Sequence, residues 1–252
     1  MIDWLVQSMA AHPDLAAGAA PAGVLSLLEQ RRLASIPVAK RRSDWLLGRW
    51  TAKRLMQSYV MRRTGHLLPL DMFSITSDPD GAPRVVADWP CELQSAIKGL
   101  QLSISHSNGH ALCAITDLAD APIGVDIERI EPRGPEFAAD FFTPHEQRQI
   151  AAAAPAERDT VVTLIWSAKE SALKALRLGL TIDTRCVSCS LGRHGSAGLA
   201  WWPLTIDYRL APARPAGTIM HGWWRIVNEF VLTLVVNPAR RRAPDDDGRK
   251  AA

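Results

Sequence analysis

Asp126 and Glu128 stand two residues apart in the run Gly124-Val-Asp-Ile-Glu128. On a β-strand that spacing turns both carboxylates to one side, roughly 6.8 Å apart at Cα, while Val125 and Ile127 face the other. Converging carboxylates suit a hard cation such as Mg2+, which takes oxygen ligands and shares them with phosphates. The plainer alternative is a solvated strand face. In Trp166-Ser-Ala-Lys-Glu-Ser-Ala-Leu-Lys174, Glu170 and Lys174 are four apart and share one helix face. They read either as an exposed ion pair worth about 0.3–0.5 kcal/mol or as working groups. In the second reading Glu170 is a third metal ligand or a general base, and Lys174 is a charge beside a phosphate or leaving group.

Two further clusters point to anions. In Leu102-Ser-Ile-Ser-His-Ser107, Ser105 and His106 offer donors to phosphate oxygens; a hydrogen-bonded structural histidine is the alternative. A Ser-His-Asp hydrolase lacks its G-x-S-x-G elbow here. Lys40-Arg-Arg42, with Arg49, Lys53 and Arg54, lies at the start of a predicted helix, where free N–H groups and the dipole favour anions. A solvated helix face is again the alternative. Only Trp45 and Trp50 accompany this run, a narrower footprint than nucleic-acid binding normally uses.

The elements that must hold these groups follow from periodicity. Helices are expected at 22–33, at Ser43–Met61 with Ser43 as N-cap, at Phe137–Ala154 and at Val161–Leu178. Strands are expected at Phe73–Thr76, Leu102–Ser105, Ala111–Thr116, Ile123–Glu128, Val187–Leu191, Leu204–Leu210, Trp223–Val227 and Phe230–Val236. Asp78-Pro-Asp-Gly81 marks a turn and Asn108-Gly109 a hairpin. A polar, proline-containing joint at Asp117–Pro122 divides the chain. The order of helix then strands, twice, gives an α+β fold of two similar subdomains, 1–118 and 119–237, each an antiparallel sheet packed with helices. Residue-level self-similarity is not evident. The charged, apolar-poor segment 238–252 reads as a disordered tail.

The 252 residues are 47% hydrophobic and 22% charged, which excludes disordered and collagenous classes. No apolar run approaches the ~18 residues of a membrane span, and no basic n-region precedes an apolar core, so a cytoplasmic protein is expected. Cys186 and Cys189 form a lone C-x-x-C without partner ligands, which argues against a zinc or redox site. The net charge of +3 conceals a partition: residues 31–63 carry +9, and the segments on either side carry −3 each. That asymmetry points to an anionic ligand more than the total does.

Together these pieces resemble the 4′-phosphopantetheinyl transferases of the surfactin-synthetase type, which have two pseudo-symmetric halves in one chain. The resemblance rests on the ordered set Lys40-Arg-Arg-Ser-Asp-Trp-Leu-Leu-Gly-Arg49, Ser103-Ile-Ser-His-Ser107, Gly124-Val-Asp-Ile-Glu128, Phe141-Phe-Thr-Pro-His-Glu146 and Trp166-Ser-Ala-Lys-Glu-Ser171 with Lys174. It spans roughly residues 25–236. It implies transfer of the phosphopantetheine arm of coenzyme A to a serine of an acyl or peptidyl carrier protein, releasing adenosine 3′,5′-bisphosphate. It implies Mg2+ on Asp126, Glu128 and Glu170. It makes Glu170 the base, with Lys174 and Asp126 also catalytic. Coenzyme A would be bound by Lys40, Arg41, Arg42, Arg49, Ser105, His106 and Lys174. Where the family often has Gly-Lys-Pro, this chain departs with Gly81-Ala82-Pro83-Arg84, and the resemblance offers Arg84 as the coenzyme A-binding cation in place of the lysine. Phe141-Phe142 would lie near the carrier-docking surface, with at least one of the two in the core. A monomer serving secondary metabolism is the implied setting, with no nucleic acid and no membrane involved.

Overall fold

Asn108 and Gly109 both take positive φ, 44° and 73°, the pair of left-handed residues that a two-residue hairpin needs. They join β4 (Gln101–Ser107) to β5 (His110–Thr116), and β1 (Ile2–Ser8) adds to the far side of β5. The result is an antiparallel sheet of order β1-β5-β4. The computed structural model describes residues 2–87, 91–118, 121–192, 201–209 and 218–237. The rest of the first half comprises α1 (Pro13–Ala16), α2 (Leu27–Ala34), α3 (Ala39–Thr64), the paired strands β2 (Phe73–Ser77) and β3 (Pro83–Ala87), and α4 (Cys91–Ile97). The second half holds β6 (Ile123–Arg129), α5 (Pro135–Phe141), α6 (Pro144–Ala152), α7 (Arg158–Leu176), β7 (Val187–Leu191), β8 (Trp202–Tyr208), β9 (Thr218–Val227) and β10 (Phe230–Val236). Its strands form one antiparallel sheet of order β6-β10-β9-β8-β7. The α+β expectation holds. Each half has five strands, but the first divides them between a three-stranded and a two-stranded sheet while the second joins all five in one.

Three apolar clusters hold the chain together. One gathers α3, with Leu47, Ala52 and Met56, against β2, β4 and β5. A second packs α7, with Ile165, Ala168 and Ala172, on one face of the five-stranded sheet. The third joins β5 to the opposite face of that sheet through Leu112, Ala114, Val125, Ile127, Leu232 and Leu234. Burying such side chains contributes about 1.5–3 kcal/mol each before entropy is counted. Val125 and Ile127 are inward-facing, as their alternation with Asp126 and Glu128 requires.

Several boundaries differ from expectation. The helix expected over Phe137–Ala154 is two, because Thr143 and Glu146 form a capping box and Pro144 occupies the first turn of α6; a new N-terminus starts there. Ser43 is not an N-cap. Its hydroxyl donates to the Ala39 carbonyl inside α3, whose N-cap is Val38. Strands β1 and β3 were not expected. Both are edge strands with most residues only partly buried, so their apolar pattern is weak. The segment read as a disordered tail lies outside the described residues. Among the described residues no helix is long and apolar enough to cross a membrane.

Candidate active site

Gly124 sets the distance between β6 and α7. A Cβ at this position would lie 1.8 Å from the Ser171 carbonyl oxygen and 2.7 Å from the Ala175 nitrogen, far inside contact distance, so only glycine lets helix and strand meet here. Behind that contact, the Thr233 hydroxyl lies 2.9 Å from Ser167 Oγ and 2.7 Å from Ser171 Oγ, which fixes α7 against β10. Lys169 is fully buried and pairs with the equally buried Glu146 at 2.8 Å. Glu146 also accepts from the Cys189 backbone N–H at 2.8 Å. Within Trp166-Ser-Ala-Lys-Glu-Ser171, then, Ser167, Lys169 and Ser171 anchor the helix. Glu170 and Lys174 are left on its open side.

Lys174 meets Asp126. Its Nζ is 2.8 Å from Asp126 Oδ1, and it donates at 3.0 Å to both Ser105 Oγ and the Val125 carbonyl. Ser105 also donates to Asp126 Oδ1 at 2.7 Å, and Ser103 Oγ accepts from the Val125 N–H at 3.0 Å. Strand β4 is thus stitched to β6 by side chains at the site. Asp126 is 3% exposed, and its Oδ2 is buried without a hydrogen-bond partner. Glu128 has only long contacts, to Ser107 at 3.5 Å and Arg133 at 3.4 Å. Burial, then the charge of Asp126, pushes Glu128 up to about 7. Glu170 is raised too, first by burial, against the opposing pull of Lys174.

Among the described residues no group of three or more His, Cys, Asp or Glu is gathered at ligating distance. The carboxylates of Asp126, Glu128 and Glu170 do sense one another, however, and they are short of positive charge: an orphaned buried oxygen on Asp126 and two carboxylates held toward their protonated forms. An oxygen-rich site of this kind fits a hard divalent cation.

Beside Lys174 lies a cleft of about 440 Å3, walled by the β2–β3 turn, by β4 and by the C-terminal end of α7. Arg84, Lys174 and Arg177 line it. Arg84 reaches it while paired to Asp78 at 3.1 Å. Arg177 was not singled out from sequence. It is the left-handed C-cap of α7 and ties that helix to the turn, pairing with Asp78 and with Asp80 at 2.7 Å. Its place at the helix C-cap, in the left-handed conformation where the helix period no longer holds, leaves no signal in the sequence pattern.

The basic start of α3 divides. Lys40 is exposed and pairs with Asp44 at 2.9 Å; Arg41 is exposed. Arg42 turns inward to the Ile36 carbonyl at 2.9 Å. Arg49 lies 3.8 Å from Glu29, over the Trp45 ring at 4.8 Å. Lys53 is buried on Glu29 and on the Val24, Leu70 and Phe73 carbonyls, a structural cation. His106 is exposed. Desolvation lowers its pKa, Asp44 opposes that, and Lys174 and Lys40 add to it. Phe142 is buried at 1% exposure, while Phe141 is exposed and clusters with Phe137 and Trp166. Arg133, also missed from sequence, lies over Phe137 at 4.6 Å.

Residues 122–216 match the model of the 4′-phosphopantetheinyl transferase superfamily. A 4′-phosphopantetheinyl transferase of Bacillus subtilis is 30% identical over 122 residues, which are 48% of this chain and 53% of that protein. The 4′-phosphopantetheinyl transferase Sfp of Bacillus subtilis (strain 168) is 32% identical over 97 residues, 38% of this chain and 42% of that one. The chain spans about half the length, or less, of the curated relatives it matches. A solved ACPS–CoA complex from Chronobacterium ammoniagenes aligns with 46% of this chain and 95% of that one, at 20% identity and a TM-score of 0.36, a likeness too slight to carry an argument.

Proposed function

We propose that this chain, whose residues 122–216 match the model of the 4′-phosphopantetheinyl transferase superfamily, transfers the phosphopantetheine arm of coenzyme A to a serine of an acyl or peptidyl carrier protein. The observation that carries the reading is Asp126. One of its oxygens is held by Lys174 and Ser105 and the other is buried and unpartnered, beside two carboxylates of raised pKa and a cation-lined cleft.

The carrier serine Oγ bonds to the phosphorus that bears the pantetheine arm. The bond from that phosphorus to the bridging oxygen breaks, and adenosine 3′,5′-bisphosphate leaves with the electron pair. Glu170 takes the serine proton, directly or through one water, and its raised pKa suits that task near neutral pH. Lys174 offsets the charge that grows on the leaving phosphate. Ser105 keeps Lys174 and Asp126 in register. Asp126, Glu128 and Glu170 would hold Mg2+, which when bound neutralises pyrophosphate charge. Lys40, Arg41 and His106 supply exposed donors for the nucleotide phosphates, and Arg84 lines the cleft next to Lys174. Arg42 and Arg49 would reach a phosphate only by leaving Ile36 and Glu29. The exposed ring of Phe141, packed on Phe137 and Trp166, and Arg133 over those same two rings give an acidic carrier an apolar and a basic contact. We further infer a cytoplasmic monomer serving carriers of secondary metabolism.

The test is incubation with coenzyme A, Mg2+ and several apo-carrier proteins, read by intact mass. The expected result is gain of one phosphopantetheine per carrier, abolished by Asp126→Ala in a variant that keeps its circular dichroism. No gain on any carrier overturns the reading. Coenzyme A hydrolysis without a carrier points instead to a phosphodiesterase.

A further inference from the structure

Every cation lining the cleft beside Lys174 is already paired. Arg84, Lys174 and Arg177 share its walls with the carboxylates of Asp78 and Asp80. Lys174 is on Asp126 at 2.8 Å. Asp78 spans the other two: its Oδ1 lies 3.1 Å from Arg84 Nε, and its Oδ2 accepts from Arg177 Nη2. Asp80 takes the fork of Arg177, with Oδ2 2.7 Å from Nε and Oδ1 3.0 Å from Nη2. Asp78 and Asp80 stand at the β2–β3 turn, Arg84 on β3 and Arg177 at the C-cap of α7, so the two halves of the chain meet across these pairs.

A carboxylate with one oxygen on each of two guanidiniums does what a phosphate does there, because arginine meets both anions with the same N–H geometry. The arrangement is open. The side chains of Arg84 and Arg177 are 64% and 40% exposed, and those of Asp78 and Asp80 24% and 36%. A ligand reaches them, and such pairs exchange at little cost. The turn also keeps its shape by its own bonds. The Asp78 N–H donates to the Ala82 carbonyl and the Gly81 N–H to the Asp78 carbonyl, both at 2.8 Å, and the Ala82 N–H donates to Asp80 Oδ1 at 3.1 Å. Asp78 can therefore release both arginines while the turn stays folded.

We propose that Arg84 and Arg177 form a phosphate subsite between the two halves, and that Asp78 holds the place of the phosphate until the ligand displaces it. The inference rests on the reading of coenzyme A as substrate, a ligand with a pyrophosphate and a separate ribose phosphate. A carboxylate fixed on the turn competes at the high effective concentration of a tethered group. A free monophosphate well below that concentration does not displace it. A ligand anchored through another phosphate on Lys174 is itself tethered and competes on equal terms. Asp78 thereby sets how tightly the cleft takes its anion.

The test is the dissociation constant of coenzyme A, measured by calorimetry on the full chain without a carrier protein. Asp78→Asn keeps the size of the side chain and should bind coenzyme A about threefold to fivefold more tightly, since an exposed pair no longer has to be broken. Asp183→Asn removes the same charge from an exposed pair with Arg185 outside the cleft and should leave the constant unchanged. Arg84→Gln should weaken binding at least about threefold, and should remove the gain when combined with Asp78→Asn. If Asp78→Asn does not fold, Arg84→Gln, at an exposed position, decides alone, and unchanged affinity there counts against the subsite. Unchanged or weaker binding by a folded Asp78→Asn, or an equal gain in Asp183→Asn, overturns the subsite while the proposed function stands. An unmodified chain that binds no coenzyme A overturns that function and the subsite with it.

Discussion

Lys169 and Glu146 form a fully buried ion pair at 2.8 Å, and Lys53 and Glu29 form its counterpart in the first half of the chain. Both glutamates close a capping box, on Thr143 and on Ser26. Both accept from a strand N–H, of Cys189 in β7 and of Ile75 in β2. Both lysines, each on a long helix, also donate to the carbonyl at a strand start, Val187 and Phe73. The same device therefore docks a capped helix, a long helix and a strand in each half.

Breaking either pair by Lys169→Met or Lys53→Met strands a buried carboxylate and should cost about 3–5 kcal/mol in urea unfolding. Lys169→Met with Glu146→Gln should recover part of that loss. A loss below about 1 kcal/mol in both single variants would show that the pairs do not carry this docking.

That recurrence explains what the sequence hid. Ser-Leu-Leu-Glu29 and Thr-Pro-His-Glu146 share only two positions, a hydroxyl cap and a glutamate three residues on, too little to stand out by eye. The lysines they meet lie 24 and 23 residues later, and such a partner cannot be read from local pattern. Lys53 falls within the basic run for the same reason, since periodicity shows which helix face a residue shares and not what covers it. Gly124-Val-Asp-Ile-Glu128 was legible because strand alternation alone decides which side its carboxylates take. Arg177 and Arg133 were not, because each acts from a helix end or loop, where no period exists.

Gly124→Ala should separate α7 from β6. The new methyl would meet the Ser171 carbonyl, backbone that cannot yield cheaply. Overpacking of this sort costs about 1–3 kcal/mol or more. Because Glu170 and Lys174 ride on α7, transfer activity should fall further than stability does. The check is turnover and urea midpoint measured on the same preparation; a variant with wild-type turnover would show that this contact does not set the site's geometry.

Arg177→Ala should separate binding from chemistry. Its pairs with Asp78 and Asp80 are partly exposed, so stability should change by less than about 1 kcal/mol. The turn carrying Arg84 loses its tie to α7, and the cleft loses a cation. KM for coenzyme A should rise about threefold to tenfold, with kcat near wild type. A drop in kcat at unchanged KM would place Arg177 in the chemical step instead.

The carboxylate cluster should make metal-free stability fall as pH rises. Glu128 is held protonated up to about 7 by burial and by Asp126, whereas its unfolded value is near 4.5. Between those two values the folded state binds the extra proton, so unfolding releases it and stability declines across that window. Asp126→Asn removes the second cause of the shift and should flatten the decline. Mg2+ competes with that proton, so it should raise the melting temperature more at pH 7.5 than at pH 5.5, and Asp126→Asn should abolish the difference. Equal Mg2+ stabilisation at both pH values, measured by calorimetry in chelator-treated protein, would dissociate cation binding from these carboxylates.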